Sequence, residues 1–471
     1  MTAPPPNDEG SASSAHYVRA VTDLGDRGSV VAGAAIYTAS GVKLVERGAR
    51  IDSRLYERLV QHKLSEPIDT HLSAANAVDP AELLDRARQL LGEAPLPRLL
   101  AQAMGAVPGP GERLLAPLRS MPLPPAVAFK LTVMREQRPQ LFVHSLQVAL
   151  VSVFLGLRSG LTERDCVSVA AAGMLHDIGV LHMNPDWFEP EHHMNGAQRS
   201  HLAAHPVTAM VLLRELHAYP PAVERAVLEH HERMDGSGYP RGIAGDAISR
   251  IGRILIVAEV AASLYDKYAD GMPALRLWLV LRLNAHRFPP DLVNLLLPLL
   301  RAQRESLPAG DAPSVAALAG EVHQCMKDVA AALQTWADLQ DPAVLAEPSG
   351  AHALLAGRIR ALERMLFEAG SHPRQQPDLL ADQGAVPAPP SAPGEAATAE
   401  ADEAARTLAE MVLVGRETLW QLRNAVDVSH RRWPQLSDRA TPSDCIAADW
   451  CDWVAARIGS GRGGSETGAA A

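Results

Sequence analysis

The sequence predicts a mostly α protein: a helical bundle preceded by a small α+β N-terminal domain and followed by an additional helical C-terminal region. Three observations carry this. Aromatic residues make up only 4% of the 471 residues while Ala and Leu abound, a composition that favours helices over sandwiches or barrels. Apolar residues recur at three- and four-residue spacing in the centre and C-terminal half, as on amphipathic helices. Strand-like runs are confined to one short stretch near the start.

In chain order, residues 1–28 are polar and small and read as a disordered lead-in. Residues 29–123 read as a small accessory region. Within it, AAIYTASGVKLVERG (Ala34 to Gly48) sets two strand-like pieces around the turn signal ASG, and Asp52 or Ser53 can cap a helix in SRLYERLVQHK. Helical segments follow to about residue 125, broken at VPGPGE (Val107 to Glu112). Residues 124–304 form the central helical domain. Residues 305–372 are a helical extension, with amphipathic patterns over Pro313 to Trp336 and His352 to Gly370. A Pro/Ala linker over 373–403, a helical segment over 404–458 and a disordered tail over 459–471 complete the chain.

The balance of 44 basic against 54 acidic residues, a net charge of -10, excludes a broad electrostatic footprint for a nucleic-acid polymer. A small anion held through metal ions stays open. The start, MTAPPPNDEG, has neither the basic region nor the apolar core of a signal peptide. The longest apolar stretch, Leu141 to Leu157, contains His144 and Gln147 and falls short of a bilayer span. The expectation is a cytoplasmic protein without a membrane partner. Four scattered cysteines (Cys166, Cys325, Cys445, Cys451) read as buried or free thiols.

The chemistry concentrates in the central domain, where ten of the chain's 18 histidines lie between His144 and His231. CVSVAAAGMLHDIG is apolar until His176 and Asp177, with Gly179 where a helix C-cap glycine belongs. His144 and Glu259 each stand alone in an apolar helical run, His205 opens another, and His230 and His231 precede the glycine turn DGSGYP. One buried histidine is ordinarily a hydrogen-bonded core residue. Several lone ionisable groups in apolar helices, with adjacent HD and HH pairs, point instead to shared ligands, because an unpaired carboxylate buried at Glu259 costs several kcal/mol that a cation removes. Neutral imidazoles with carboxylates suit Zn, Fe, Mn or Ni, and two ions sharing the Asp177 carboxylate would make a hydrolytic centre.

GMLHDIG (Gly173 to Gly179) and HHERMDGSGYP (His230 to Pro240) resemble the two signatures of HD-GYP domains, a branch of the HD phosphohydrolases; the second is matched at every fixed position. The resemblance covers about residues 125–275 and implies an HD-type helical bundle. It implies metal-dependent hydrolysis of cyclic di-GMP to linear pGpG, with either pGpG or GMP as the final product. Two divalent ions would be held by His144, His176, Asp177, His205, His230, His231 and Glu259. His176 and Asp177 would stand at the reacting centre, and Asp235, Gly236, Gly238, Tyr239 and Pro240 would wall the cyclic dinucleotide. Arg253, six residues before Glu259 and almost on the opposite helix face, has a salt bridge or cap as its default role and a phosphate contact on the substrate side as the alternative.

Five positions depart from that family's pattern. Val180 stands where a phosphate-facing lysine is usual, and the carboxylate helix carries Glu259 and Ala262 in place of two aspartates. Gln140 stands where some members have a third-metal glutamate, so two metals rather than three are expected, and Ala209 replaces a glycine. These departures motivate the alternative of a metal-retaining binding or signalling scaffold without turnover; a hydrolase for another nucleotide is a further alternative. His201 is weighed as a ligand against a hydrogen-bonded or exposed residue, His182 as a rim residue, and His192 and His193 as solvated. The C-terminal helices are expected to pack on the central domain, a second copy or a signalling partner.

Overall fold

The computed structural model describes residues 9–28, 30–105, 109, 111–189, 192, 194, 196–268, 272–305, 315–341, 348–368, 371–375 and 395–458. The chain divides into two compact units, one built on residues 1–271 and 286–299, the other on 272–285 and 300–470.

The first unit opens with a correction: Glu9–Arg27, inside the stretch read as a disordered lead-in, is helix α1. Its apolar stripe of Tyr17, Val18, Val21 and Leu24 is buried; the Ser- and Ala-rich start hides that stripe from a composition-based reading. The predicted hairpin is present as β2 (Ile36–Tyr37) antiparallel to β3 (Lys43–Val45), while β1 (Val30–Ala32) pairs with β4 (Leu72–Ala74). Asp52 caps the turn before α2 (Tyr56–Val60) by accepting from the Arg54 amide at 3.2 Å. Beneath lies a buried ion pair: Lys130 Nζ is 2.5 Å from Asp69, whose carboxylate also accepts from the Tyr17 hydroxyl. Removing one partner of such a pair would strand a charge in the core.

Helices α3 (Pro80–Glu93), α4 (Pro95–Ala103), α5 (Glu112–Arg119), α6 (Pro125–Gln137) and α7 (Pro139–Arg158) follow. A proline in the first turn starts α3, α4, α6 and α7, where its missing N–H costs no helical bond. Helix α7 has 20 residues and is apolar enough to cross a bilayer by length and composition, yet 72% of its apolar window is buried in the protein. It packs on α8 (Glu163–Leu175) and α12 (Arg250–Lys267). A Cβ on Gly173 would sit 2.6 Å from the Ala149 Cα, so the small residues of AAAG let the α7 and α8 backbones touch. Each fully buried Leu, Val or Phe in this core contributes about 1.5–3 kcal/mol. Helices α9 (Gly196–Leu202), α10 (His205–Leu216) and α11 (Pro221–Glu229) complete the frame of the site.

The second unit gathers α13 (Pro273–Leu283), the end of α14 (Pro290–Glu305), α15 (Val315–Leu339), α16 (Gly350–Glu368), α17 (Glu395–Arg432) and α18 (Pro442–Ile458). Its core centres on Trp450, which is fully buried and donates its indole N–H to the Ala332 carbonyl at 3.0 Å. Because α17 starts at Glu395, the end of the predicted 373–403 linker is helical rather than irregular. Residues 376–394 of that linker and the tail 459–471 lie outside the described residues.

Candidate metal centre

Five helices deliver the ionisable residues, each by its own local rule. Helix α8 ends at Leu175, with His176 still right-handed at its C-cap, and the chain continues into a 3-10 turn over Ile178–His182. Gly179 is therefore no left-handed cap, as the sequence reading had it. It is glycine because a Cβ there would sit 2.2 Å from the His205 carbonyl oxygen and 2.9 Å from the Ala209 amide. That close approach brings the HD turn against the start of α10, where Pro206 follows His205 in the first turn. Helix α11 ends at Glu229, leaving His230 and His231 beyond its last turn. His144 comes from the second turn of α7 and Glu259 from the middle of α12.

All seven predicted ligands converge in two groups: His144, His176 and Glu259 in one, and Asp177, His205, His230 and His231 in the other. His176 joins them, with its Nε2 3.2 Å from Glu259 and 3.3 Å from Asp177. The Asp177 carboxylate lies 3.1 Å from His205 Nε2 and 3.6 Å from His230 Nε2, and His144 Nε2 is 3.1 Å from Glu259.

The tautomers test whether this set fits a metal. His176, His205 and His230 each turn Nδ1 to the backbone carbonyl three residues earlier, Gly173 at 2.8 Å, Leu202 at 2.7 Å and Val227 at 2.6 Å. A carbonyl only accepts, so each ring donates Nδ1–H and presents a bare Nε2 lone pair inward. Yet the Nε2 atoms of His205 and His230 stand 3.1 Å apart. Two lone pairs at that distance repel unless a cation lies beside them. Among the described residues, Asp177 Oδ1, His176 Nε2 and His231 Nδ1 are buried with no hydrogen-bond partner beyond the ion-pair contacts within the cluster itself. The donor set fits divalent ions of the imidazole- and carboxylate-binding kind.

With only protons to share, the site polarises. Burial pushes the His176 imidazole down, but the Asp177 and Glu259 carboxylates outweigh it and raise the ring to about 10. His144 is held well above its ordinary range by the same opposition of burial and carboxylates. Burial pushes the Asp177 and Glu259 carboxyls up, and the neighbouring histidines pull them well below the usual range. Burial drives His230 down and His231 further down.

Several residues the sequence reading passed over hold this set in place. His144 turns its Nδ1 to Asp266 at 2.8 Å, and Gln147 donates to the other Asp266 oxygen at 2.7 Å, fixing the ring as outer carboxylates do for metal-bound histidines. The Ser263 hydroxyl donates to Glu259 at 2.8 Å. Ser263 and Asp266 follow Glu259 by four and seven residues, a same-face spacing visible in the sequence. The fully buried carboxylates Glu229 and Glu232 staple the glycine turn: Glu232 accepts from the Arg241 and Ile243 amides at 2.8 and 3.0 Å, and Glu229 from Arg225, Arg241 and the Ser249 amide.

In that turn, Asp235 accepts from the Ser237 amide at 3.0 Å, and Gly236 has φ 75°, the left-handed region. A Cβ on Gly238 would meet three backbone atoms of residues 231–233 at 2.4 Å. Tyr239, ahead of Pro240, stacks on His231 with ring centroids 4.7 Å apart.

The remaining predicted residues are not brought into the cluster. Arg253 directs its guanidinium to the Ile248 carbonyl and Asp246, the salt-bridge and cap role rather than a phosphate contact. His182 is half-buried and stacks on Tyr17, with ring centroids 4.5 Å apart. His201 packs edge-on to Trp187, and His192 contacts Gln198. His193 lies outside the described residues. Gln140 is exposed, whereas Val180, Ala209 and Ala262 are buried apolar positions.

Residues 132–274 match the HD domain family, so the chain carries an HD domain over that stretch. It is 29% identical over 145 residues to a 3'3'-cGAMP-specific phosphodiesterase of Vibrio cholerae, covering 30% of this chain and 31% of that protein. A second such phosphodiesterase of the same organism is 32% identical over 123 residues, covering 26% and 28%. A cyclic di-GMP phosphodiesterase of Pseudomonas aeruginosa is 27% identical over 137 residues, covering 29% and 32%. The matched stretch thus spans about three tenths of these relatives' length. A solved HDG"Y"P protein from Bdellovibrio bacteriovorus aligns over 58% of this chain and 96% of its own, at 13% identity and a TM-score of 0.32.

Proposed function

We propose that this HD domain is a cytoplasmic phosphodiesterase that opens cyclic di-GMP to linear pGpG, and pGpG in turn to GMP, at a centre for two divalent transition-metal ions (Fe, Mn, Zn or Ni). The observation that carries the reading is the pair of ligand groups joined at His176 and Asp177, with lone pairs facing one another at hydrogen-bond distance. The names of the similar phosphodiesterases support the substrate class. When bound, such ions neutralise phosphate oxygens and lower the pKa of water.

The chain's own residues do the rest. His144, His176 and Glu259 would hold one ion and Asp177, His205, His230 and His231 the other, leaving the Asp177 carboxylate between the groups. Asp266 and the three backbone carbonyls keep each lone pair aimed inward before any ligand arrives. Gly236 takes its left-handed φ and Gly238 packs against the backbone of residues 231–233, which together set the course of the turn, and Tyr239 covers His231.

The test is metal analysis of anaerobically purified protein together with cyclic di-GMP turnover. Two ions per chain and hydrolysis that vanishes in Asp177→Ala are expected. Val180 and Ala262, both buried and apolar, favour one second reading, a nucleotide-binding scaffold that keeps its metals. Bound ions and bound nucleotide without hydrolysis across Mn, Fe, Zn and Ni would establish that reading instead.

A further inference from the structure

The chemistry above uses the start of the HD turn and leaves its end without a role. Asp177 stands at the N-cap of the 3-10 turn Ile178–His182, and His182 closes it about 10 Å further along the turn axis. The backbone between them is bonded to itself: the Val180 amide donates to the Asp177 carbonyl at 2.9 Å, and the Met183 amide to the Val180 carbonyl at 3.0 Å. This turn packs on α10, where Gly179 leaves no room beside the His205 carbonyl. It also packs on α1, where the His182 ring stacks on Tyr17 with centroids 4.5 Å and planes 15° apart.

Tyr17 is held by charge as well as by apolar packing. Its hydroxyl donates to Asp69, and Lys130 Nζ lies 4.3 Å from its ring centroid and 2.5 Å from Asp69. Tyr17, Asp69 and Lys130 are each at most 2% exposed. Burying such a pair costs desolvation that an apolar core avoids, and what its directional contacts give in return is one fixed arrangement. Here they fix the ring on which His182 rests. All three residues precede the stretch 132–274 that matches the HD domain family, so this brace is supplied from outside it.

A displacement at His182 cannot be absorbed on the α10 side, where Gly179 is already in contact. It passes to Asp177 at the other end of the turn or to His205, and both belong to the same ligand group. We propose that Tyr17 is a positioning residue of the metal centre: through His182 it holds the turn that carries Asp177, so that docking of α1 sets the affinity for the ion held by Asp177, His205, His230 and His231. This rests on the two-ion reading of the site.

Sequential calorimetric titration of Mn into the full-length chain tests the brace without hydrolysis. Tyr17→Leu is expected to weaken one of the two binding steps about tenfold, the lower end for an outer partner of a metal ligand, and to leave the other unchanged. His182→Ala removes the same stack from its half-buried side and should act alike, which covers a Tyr17 variant that fails to fold. His182→Phe, which keeps an aromatic face on Tyr17, should retain both steps. Leu59→Ala, a buried truncation elsewhere in the N-terminal region, should lower the melting temperature and leave both steps intact. Two unchanged steps in His182→Ala, equal weakening of both, loss in His182→Phe as large as in His182→Ala, or the same loss in Leu59→Ala would each overturn the positioning role. An unaltered chain that takes up no Mn overturns it together with the metal centre. Absence of cyclic di-GMP turnover in the unaltered chain removes only the phosphodiesterase reading, while the binding steps still decide the role of Tyr17.

Discussion

Both units bury polar groups inside apolar helices, and they treat them in opposite ways. In the second unit several buried polar side chains find a partner close to home: Thr418 and Ser429 donate to carbonyls four residues back on their own helix, and His352 pairs through Nε2 with Gln340 at 3.0 Å while stacking on Trp336. In the first unit the buried groups come from five helices, use one ring nitrogen on a local carbonyl and aim the other at atoms that cannot satisfy it. The difference separates structural burial from a site. A histidine that is content locally holds a fold, whereas histidines whose second nitrogens crowd together wait for a cation.

The contrast breaks first on metal. Ions bound to the folded state alone stabilise it by about 4 kcal/mol at a thousandfold excess over Kd, so chelation should lower the melting temperature sharply. The metal-free protein should then show a pH dependence that the loaded one lacks. His176 is raised from 6.5 to about 10, so its ion pairing stabilises fully below pH 6.5 and is lost as pH rises toward 10. Thermal melts with and without chelator across that range check both.

A smaller break comes from the turn. Gly238→Ala drives a Cβ into backbone atoms at 2.4 Å, and the displacement should cost about 1–3 kcal/mol and weaken nucleotide binding more than metal binding. Denaturant melts paired with calorimetry separate the two effects.

Asp266→Asn then sharpens the contrast. It removes the carboxylate behind His144 and should weaken one ion by about 10–100-fold while the other stays. Sequential metal titration would read this as two separated binding steps; two unchanged steps would show that Asp266 does not orient the ring.

The smallest effect belongs to the second unit. His352→Ala deletes one buried hydrogen bond and should cost roughly 1 kcal/mol, with metal content and turnover unchanged. A change in metal content would erase the distinction between the two regions.

How much of this was legible depends on distance along the chain. Helical periodicity and the seven candidate ligands were readable, because an ionisable side chain in an apolar run announces itself over a few residues. Asp266 and Ser263 were readable in principle at i+7 and i+4 from Glu259, but nothing local marks them as facing His144, 122 residues before Asp266. Glu229 and Glu232 look like ordinary surface acids beside a histidine pair; only packing shows them buried under the turn. Helix α1 escaped because its stripe gains meaning only against Asp69 and Lys130, which lie far along the chain.

The sequence by itself determined the helical class, the ligand chemistry and the glycine positions that the turn demands, since each follows from side-chain type and short-range spacing. Tertiary structure alone decided that Gly179 serves close contact rather than a cap, that Arg253 braces a turn, and that His182 stacks on Tyr17. Those outcomes depend on which backbones touch, and packing sets such contacts between residues that no local pattern connects.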